Sequence, residues 1–492
     1  MANAYLIGLA NDKHIRDALI STLKFLCDSM NNLPSRKYLS LHLLLLGVLV
    51  TALIGASCRR KLCEPPPAVD EHDLFPGITE KLSVDVYLDA TLSMKGFVTA
   101  GTESYFQQTL PILESAVISG WSGGKANFFK FGNDVAALEG RGHLKASNAE
   151  FYADRNYNTK TFIEKVIDKA QTKHLTIIIT DLYQNDADVN QLSDKLRDKY
   201  IANGLAIGVY AVKSQFNGPI YDVGPNNYSF TYKTDNAEPK TFRPFYLLAL
   251  GSHADIQKYF EGLEQSGFSA FPAEIKRQVI FSPYLTASPP DFENANITAT
   301  KKLSRLARGT LLPPSVKDAR VREFKIVGDA DEAGFASEMK FNFLPYLVDT
   351  SPNLEPDIAA WKCDEKSAQT AQGGQLVESL SAREAFTLSK SNLERESNVL
   401  QFEAQIKPKA LPGTGNYCYR IILRPATYQL PRWISEWNLN IGQIEAARSN
   451  KQGFDGSKTY NLQRFLNTIW GATQDRHRPK LTTIFCYFQR EK

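Results

Sequence analysis

Residues 83–93, SVDVYLDATLS, and residues 175–182, LTIIITDL, are the two segments that decide the fold. The first alternates apolar and polar residues, as a strand with one buried face does. The second is a nearly continuous β-branched run, which is typical of a strand buried on both faces. Each apolar run ends at an aspartate, Asp89 in the first segment and Asp181 in the second. The sequence therefore predicts two strands that carry carboxylates at their carboxyl ends.

Alternating strands and helices continue around these segments up to about residue 290. Further strands are predicted at 126–132, 205–213 and 243–251, and helices at 103–120, 159–171, 188–204 and 254–267. This order predicts an α/β fold over residues 81–290, with a doubly wound, mainly parallel sheet covered by helices on both faces. Residues 214–242 are rich in Tyr, Asn, Gly and Pro and predict an inserted hairpin or loop.

Beyond about residue 300, strands replace the alternating pattern. Segments such as NVLQFEAQIK and NYCYRIILRPATYQL predict a second, β-rich, sandwich-like domain over residues 300–492. The last two segments, TYNLQRFLNTIWGAT and KLTTIFCYFQ, predict one helix and one strand. These two elements either close the sandwich or return to the first domain.

An apolar segment at residues 41–57, LHLLLLGVLVTALIGAS, predicts that the chain is tethered to a membrane. Basic residues precede the segment and Cys58 follows it, so it resembles a bacterial lipoprotein signal in which the cysteine is lipidated. Translation from Met30 would make residues 30–57 a signal of ordinary proportions, and residues 1–29 a wrongly assigned start. The alternative is a cytoplasmic lead followed by a single transmembrane helix. Both interpretations place the folded part at the bacterial cell envelope, on the periplasmic or extracellular side.

The charge balance argues against a nucleic-acid partner. The chain has 57 basic and 53 acidic residues and a net charge of +4, whereas nucleic-acid-binding proteins usually carry a strong basic surplus on one face. Residues 58–80 are charged and Pro-rich, and they predict a spacer between the membrane and the first domain.

The cysteines suggest a disulfide in the second domain, because an exported protein can keep one. Cys363 and Cys418 lie beside aromatic residues in predicted strands, and they are the pair that we predict. If Cys58 is lipidated, the mature chain keeps Cys63, Cys363, Cys418 and Cys486. These four cysteines allow three pairings, and buried thiols that pack as small apolar groups remain an equal alternative.

Oxygen-bearing side chains follow three of the predicted elements. Asp89, Thr91 and Ser93 occupy alternate positions after the first strand, Thr159 lies at a helix start, and Asp181 follows the buried strand. Because ligands of such sheets bind at the carboxyl ends of the strands, these side chains are expected to converge there. Hydroxyl and carboxylate oxygens suit a hard cation such as Mg²⁺. The sequence therefore predicts a metal site made of these five residues.

In this order, the three fragments resemble the metal-ion-dependent adhesion site of von Willebrand factor A (VWA) domains. That family has Asp-x-Ser-x-Ser after its first strand, a Thr before a helix and an Asp after its central strand, and the resemblance covers roughly residues 82–285. It implies that Mg²⁺, Mn²⁺ or Ca²⁺ is coordinated by the hydroxyls of Thr91 and Ser93 and anchored by the two aspartates. A carboxylate of a partner protein then fills an open position. Thr159 is chosen over Thr161 by spacing alone.

The predicted function is thus divalent-cation-dependent binding of an unknown protein partner by a tethered protein that is not an enzyme. One alternative is a structural lipoprotein subunit of an envelope complex with a vestigial metal site, in which the aspartates cap helices. Another is a haloacid-dehalogenase-like phosphatase with Asp89 as nucleophile and Thr180 on the phosphate. Those enzymes have a second Asp as general acid where this chain has Thr91.

Overall fold

The structure is a computed structural model, and it describes the greater part of the chain after residue 76. The described residues are 62–64, 77–182, 186–223, 228–235, 237–288, 291–328, 331–364, 374–450 and 454–491. The predicted signal or anchor, Cys58 and most of the spacer lie outside these ranges. None of the helices within them is both long enough and apolar enough to cross a membrane.

Two compact units make up the chain. The larger unit comprises Pro66–Leu306, Lys317–Lys362 and Val377–Lys492, and the smaller one comprises Met1–Pro65, Ala307–Val316 and Cys363–Leu376. Both predicted domains thus contribute most of their residues to the larger unit.

The first part of the larger unit alternates strands and helices, as the sequence predicts. Its strands are β1 (Ser83–Asp89), β2 (Lys125–Phe131), β3 (Val135–Leu138), β4 (Leu175–Thr180), β5 (Ala206–Ser214), β6 (Asn217–Val223), β7 (Tyr228–Lys233), β8 (Arg243–Gly251) and β9 (Lys276–Phe281). Its helices are α1 (Tyr105–Gly120), α2 (Ile163–Lys169), α3 (Asp186–Lys199) and α4 (His253–Ser266). A short 3-10 helix, Leu92–Val98, follows β1 directly.

Seven of these strands form one mixed sheet in the order β3-β2-β1-β4-β8-β5-β9. β1 is parallel to β2 and β4, whereas β8 is antiparallel to both of its neighbours, β4 and β5. The predicted α/β class is confirmed, but the prediction of a mainly parallel sheet is wrong. Between β5 and β8 the described residues form the β6–β7 hairpin and the short 3-10 helix Pro239–Thr241, but no α-helix. Parallel neighbours need a long crossover connection, usually an α-helix, whereas antiparallel ones do not.

Both faces of this sheet are buried, since successive side chains of a strand point to opposite sides. Val86 and Leu88 of β1 lie in one apolar core with residues of α1 and α4. Tyr87, between them, lies in a second core with residues of α2 and α3. Because β1 and β4 are parallel neighbours, their carboxyl ends lie at the same edge of the sheet.

Ten of the remaining strands form a sandwich-like pair of sheets that share one core, and the other four form the two-stranded sheets β14-β20 and β21-β22. The strands are β10 (Asn296–Ala299), β11 (Leu303–Arg305), β12 (Val321–Ile326), β13 (Ala333–Lys340), β14 (Asp349–Thr350), β15 (Leu354–Cys363), β16 (Leu376–Glu378), β17 (Phe386–Glu394), β18 (Val399–Ile406), β19 (Gly415–Pro425), β20 (Tyr428–Gln429), β21 (Asn438–Leu439), β22 (Thr459–Tyr460) and β23 (Thr482–Arg490). The helices are α5 (Leu380–Glu384), α6 (Trp433–Glu436), α7 (Ile441–Ser449) and α8 (Leu462–His477). One sheet has the order β10-β13-β18-β17 and the other β11-β12-β23-β19-β15-β16.

The last helix and the last strand go to different places, which the sequence left open. Leu466 and Trp470 of α8 belong to the core on the α2 and α3 side of the seven-stranded sheet. β23 instead joins the sandwich, where it pairs with β12 and β19. The C-terminal segment therefore contributes to one core of the seven-stranded sheet and to the core of the sandwich.

The disulfide of the described residues joins Cys363 to Cys63, so the predicted pairing of Cys363 with Cys418 is wrong. Cys418 lies opposite Trp361 in the β15–β19 ladder. Cys363 is two residues further along β15 than Trp361, so Cys363 and Cys418 are diagonal neighbours. Diagonal neighbours of this kind are about 7–8 Å apart, which exceeds the usual Cα separation in a disulfide. Cys418 is a buried thiol of the sheet.

Candidate functional site

Asp89, the last residue of β1, is the centre of the candidate site. Its side chain is 1% exposed. Its Oδ1 accepts hydrogen bonds from the backbone N–H of Thr91 at 2.9 Å and from the Thr91 hydroxyl at 2.7 Å. Its Oδ2 accepts from the hydroxyls of Thr180 at 2.8 Å and Thr161 at 3.3 Å. Each carboxylate oxygen therefore receives two donors from the chain itself.

The hydroxyl groups around Asp89 are also close to one another. The Thr91 Oγ1 lies 3.0 Å from the Ser93 Oγ and 3.3 Å from the Thr161 Oγ1. Thr91 is the N-cap residue of the Leu92–Val98 helix and has an extended backbone, but its side chain makes no capping hydrogen bond to that helix and donates to Asp89 instead. The structure thus brings Asp89, Thr91 and Ser93 together with threonines of two other segments.

Thr159 does not lie in this cluster. Its hydroxyl donates to the Oδ1 of Asn133 at 2.8 Å, and the backbone N–H of Lys160 donates to the same oxygen at 2.8 Å. Asn133 therefore holds Thr159 away from Asp89, and the hydroxyl that arrives from this loop is that of Thr161. Spacing alone could not separate two threonines that lie two residues apart.

Asp181, directly after β4, forms a buried ion pair with Arg243, the first residue of β8. The Arg243 Nη2 lies 2.7 Å from the Asp181 Oδ2, and the two side chains are 1% and 2% exposed. The guanidinium also lies over the ring of Phe216, 5.1 Å from its centroid. Sequence reasoning gave Arg243 no role, because an arginine before an apolar strand carries no signal of its partner.

The burial of two carboxylates at one edge of the sheet changes the protonation of Asp89. The pKa of Asp89 is raised to about 7, chiefly by burial and then by repulsion from Asp181, while hydrogen bonds from Thr91 and Thr180 act in the opposite direction. The charged form is disfavoured because it is removed from water and lies near a second negative charge.

The inserted segment between β5 and β8 covers this edge. Phe216, at the start of the insertion, packs against Phe97 of the 3-10 helix with ring centroids 5.0 Å apart. Gly96 has no room for a side chain, because an added Cβ would lie 2.2 Å from the Phe216 ring. The Thr99 hydroxyl donates to the carbonyl oxygen of Asn217 at 2.5 Å. The hairpin is therefore fixed onto the segment that follows Asp89.

The five predicted ligands do not form the divalent-cation site that the VWA resemblance implies. The oxygens of Asp89, Thr91 and Ser93 suit a hard ion, but the carboxylate of Asp181 is engaged by Arg243. A divalent ion between the two aspartates would lie beside a buried guanidinium of like charge. In addition, the described ranges contain no group of three or more His, Cys, Asp or Glu side chains placed to hold a metal ion.

Comparison with known proteins adds no assignment. No protein-family model matches the chain, and no curated protein matches it either.

Proposed function

We propose that this chain is a membrane-tethered, non-catalytic subunit of a cell-envelope assembly, with a VWA-like α/β domain whose metal site is vestigial. The buried Arg243–Asp181 ion pair is the observation that carries the proposal. It supplies positive charge where the family uses a cation, so partner binding needs no divalent ion. The tether rests on the sequence of residues 41–58.

The arrangement around Asp89 also supports a binding role over catalysis. Both of its oxygens are occupied by hydrogen bonds from Thr91, Thr180 and Thr161. A phosphatase of the haloacid-dehalogenase type would require a free nucleophilic carboxylate and a second acid two residues later. Thr91 occupies that position and donates to Asp89.

A second candidate is cation-dependent partner binding, which one specific observation favours. The hydroxyls of Thr91, Ser93 and Thr161 lie within 3.3 Å of their nearest neighbour in the cluster. This is the donor set that the VWA resemblance implies, with Thr161 in place of Thr159. In this version Mg²⁺ would be held by these hydroxyls and Asp89.

The two candidates differ in their response to a chelator. The full chain should be extracted from its native membranes in mild detergent and sized by native electrophoresis, with and without EDTA, beside a Ser93→Ala variant. We expect an assembly larger than the chain itself that persists in EDTA and in the variant. Dissociation in both conditions would favour the cation-dependent candidate, and migration as a single chain under all conditions would refute a subunit role.

A further inference from the structure

Arg243 is brought to the candidate site by the antiparallel strand β8. In the β4–β8 ladder, Tyr246 lies opposite Thr180, the last residue of β4. The residues of β8 before Tyr246 therefore extend past the end of β4, toward the position of Asp181. β4 and β5 run in the same direction, since β8 is antiparallel to both. If β5 lay directly beside β4, no strand would begin next to the carboxyl end of β4. The inserted antiparallel strand is thus what places a cation next to Asp181.

The charges at this edge require such a cation. Asp89 and Asp181 are both almost fully buried, and an isolated buried carboxylate is strongly unfavourable unless it is paired. Asp89 is stabilised by hydroxyl donors from Thr91, Thr180 and Thr161. Asp181 has the guanidinium of Arg243 at 2.7 Å. The edge therefore contains its own counter-charge.

Other contacts keep the guanidinium in place. Its carbon lies 5.1 Å from the centroid of the Phe216 ring, a cation–π geometry. Phe216 is itself fully buried and packs against Phe97 and Gly96. Phe216, at the beginning of the insertion, therefore packs against the guanidinium of Arg243, which directly follows the end of the insertion.

We propose that Arg243 replaces the divalent cation in this chain, and that its removal uncovers a latent divalent-cation site formed by Asp89, Thr91, Ser93, Thr161 and Asp181. The guanidinium neutralises Asp181 and joins the carboxyl end of β4 to β8. A planar, permanently charged group suits this position because it cannot lose its proton. The inference deepens the proposed function, on which it rests for the identity of the site.

The test is calorimetric titration of the purified full chain in detergent with Mg²⁺, Mn²⁺ and Ca²⁺, together with thermal unfolding in each metal. The wild type and an Arg243→Lys variant should give no saturable heat and no change in the unfolding midpoint. Arg243→Met, which retains an apolar side chain of similar length, should unfold at a lower temperature without metal. It should gain saturable binding and a rise of about 2–5 °C at metal concentrations about a hundredfold above Kd.

The double variant Asp181→Asn/Arg243→Met is the control, because it removes both charges of the pair. It should fold and should not respond to metal. Saturable binding by the wild type that Ser93→Ala abolishes would overturn the proposal. So would an Arg243→Met chain that folds without binding metal, or one that stays unfolded in millimolar Mg²⁺ while the double variant folds.

The metal titration and the test of the proposed function measure different quantities, namely metal binding by the purified chain and the size of an assembly. The titration uses the purified chain with no partner, so loss or absence of an envelope assembly leaves its result unchanged. Conversely, a wild type that binds Mg²⁺ would overturn both the replacement by Arg243 and the vestigial state of the metal site, whereas membership of an assembly is decided separately by native electrophoresis.

Discussion

Gly132 supports the loop that carries Thr161 to Asp89. It follows β2, and a Cβ at this position would lie 1.7 Å from the carbonyl oxygen of Tyr157. Its own carbonyl oxygen accepts the N–H of Phe162 at 3.3 Å. The loop that contains Thr161 is therefore packed directly against a glycine backbone.

Replacement of this glycine should displace the loop. Gly132→Ala is expected to lower the free energy of unfolding by about 1–3 kcal/mol, as overpacking of a tight contact does. Gly101→Ala is the matched control, because a Cβ there meets no atom within 4 Å, and it should change stability by less than about 0.5 kcal/mol. Urea unfolding of both variants measures the difference, and equal midpoints would contradict the packing argument.

His253 should make the protein sensitive to acid. It is the first residue of α4 and is 1% exposed. Burial lowers the pKa of His253 to about 3, and the positive end of the helix dipole acts in the same direction. Between pH 6.5 and 3 the unfolded chain therefore binds a proton that the native chain does not, so stability decreases as pH falls through this range.

The titration of Asp89 changes stability with pH in the opposite direction. Its pKa is raised to about 7, so the native chain binds this proton at a higher pH than the unfolded chain does. The contribution of His253 is therefore read from a difference. The free energy of unfolding of wild type relative to His253→Gln should fall by about 1.4 kcal/mol per pH unit below pH 6.5. Denaturant melts at pH 7, 6 and 5 measure this slope, and a difference that is constant with pH would show that His253 titrates normally.

The residue scale also shows how far the site could be predicted. The convergence of Asp89, Thr91 and Ser93 could be predicted, because Asp89 ends β1 and the other two residues follow it closely along the chain. Thr161 was not separable from Thr159, since the choice depends on a hydrogen bond to Asn133 from a different loop. Such a partner is set by tertiary packing and leaves no local pattern.

Leu182 is another position where the sequence and the backbone disagree. It follows Asp181 where the VWA family commonly has Gly, and its φ of 51° lies in the left-handed region. A leucine in this conformation is unfavourable by about 1–2 kcal/mol. Its side chain is 3% exposed and packs in the core beside α2 and α3. Full burial of a leucine side chain contributes about 1.5–3 kcal/mol, which offsets the backbone strain.

At the scale of elements, the β6–β7 insertion determines both the topology and the cover of the site. Its hairpin character was predicted from composition and is confirmed. Its position was not predictable, since the contact of Phe216 with the 3-10 helix joins segments more than a hundred residues apart. The antiparallel insertion of β8 escaped prediction for a related reason. A continuous apolar strand has the same sequence pattern in either direction.

The insertion should be held on the sheet edge chiefly by Phe216. Phe216→Ala removes a fully buried ring that contacts Phe97, Gly96 and Arg243, and is expected to cost about 3–5 kcal/mol. Tyr221→Ala, in the same hairpin but 36% exposed, should cost less than about 1 kcal/mol. Limited proteolysis should cut Phe216→Ala near residues 217–233 and leave Tyr221→Ala as resistant as wild type. Equal resistance of the two variants would show that other contacts hold the insertion.

At the scale of the whole molecule, the order of elements along the chain does not separate the seven-stranded sheet from the sandwich. The predicted domains at 81–290 and 300–492 describe where strands of each type occur along the sequence. However, α8 packs on the seven-stranded sheet, where Trp470 lies 6.2 Å from Phe281 of β9, while β23 lies between β12 and β19. An amphipathic helix shows that it needs an apolar surface, but its pattern does not identify which surface. The C-terminal 30 or so residues therefore couple the sheet to the sandwich.

This coupling predicts that a substitution near the C-terminus destabilises a strand near the start of the chain. Leu466→Ala removes a fully buried side chain of α8 from the core that also contains Ile178 of β4, and the loss should be about 2–5 kcal/mol. Asn467→Ala, the next residue and solvent-exposed, is the control. Amide hydrogen exchange of β4 should accelerate in Leu466→Ala and not in Asn467→Ala, because opening of a cooperative unit exposes all of its strands. If α8 instead belonged to an independent C-terminal domain, exchange in β4 would be identical in both variants, and only amides of the sandwich would respond.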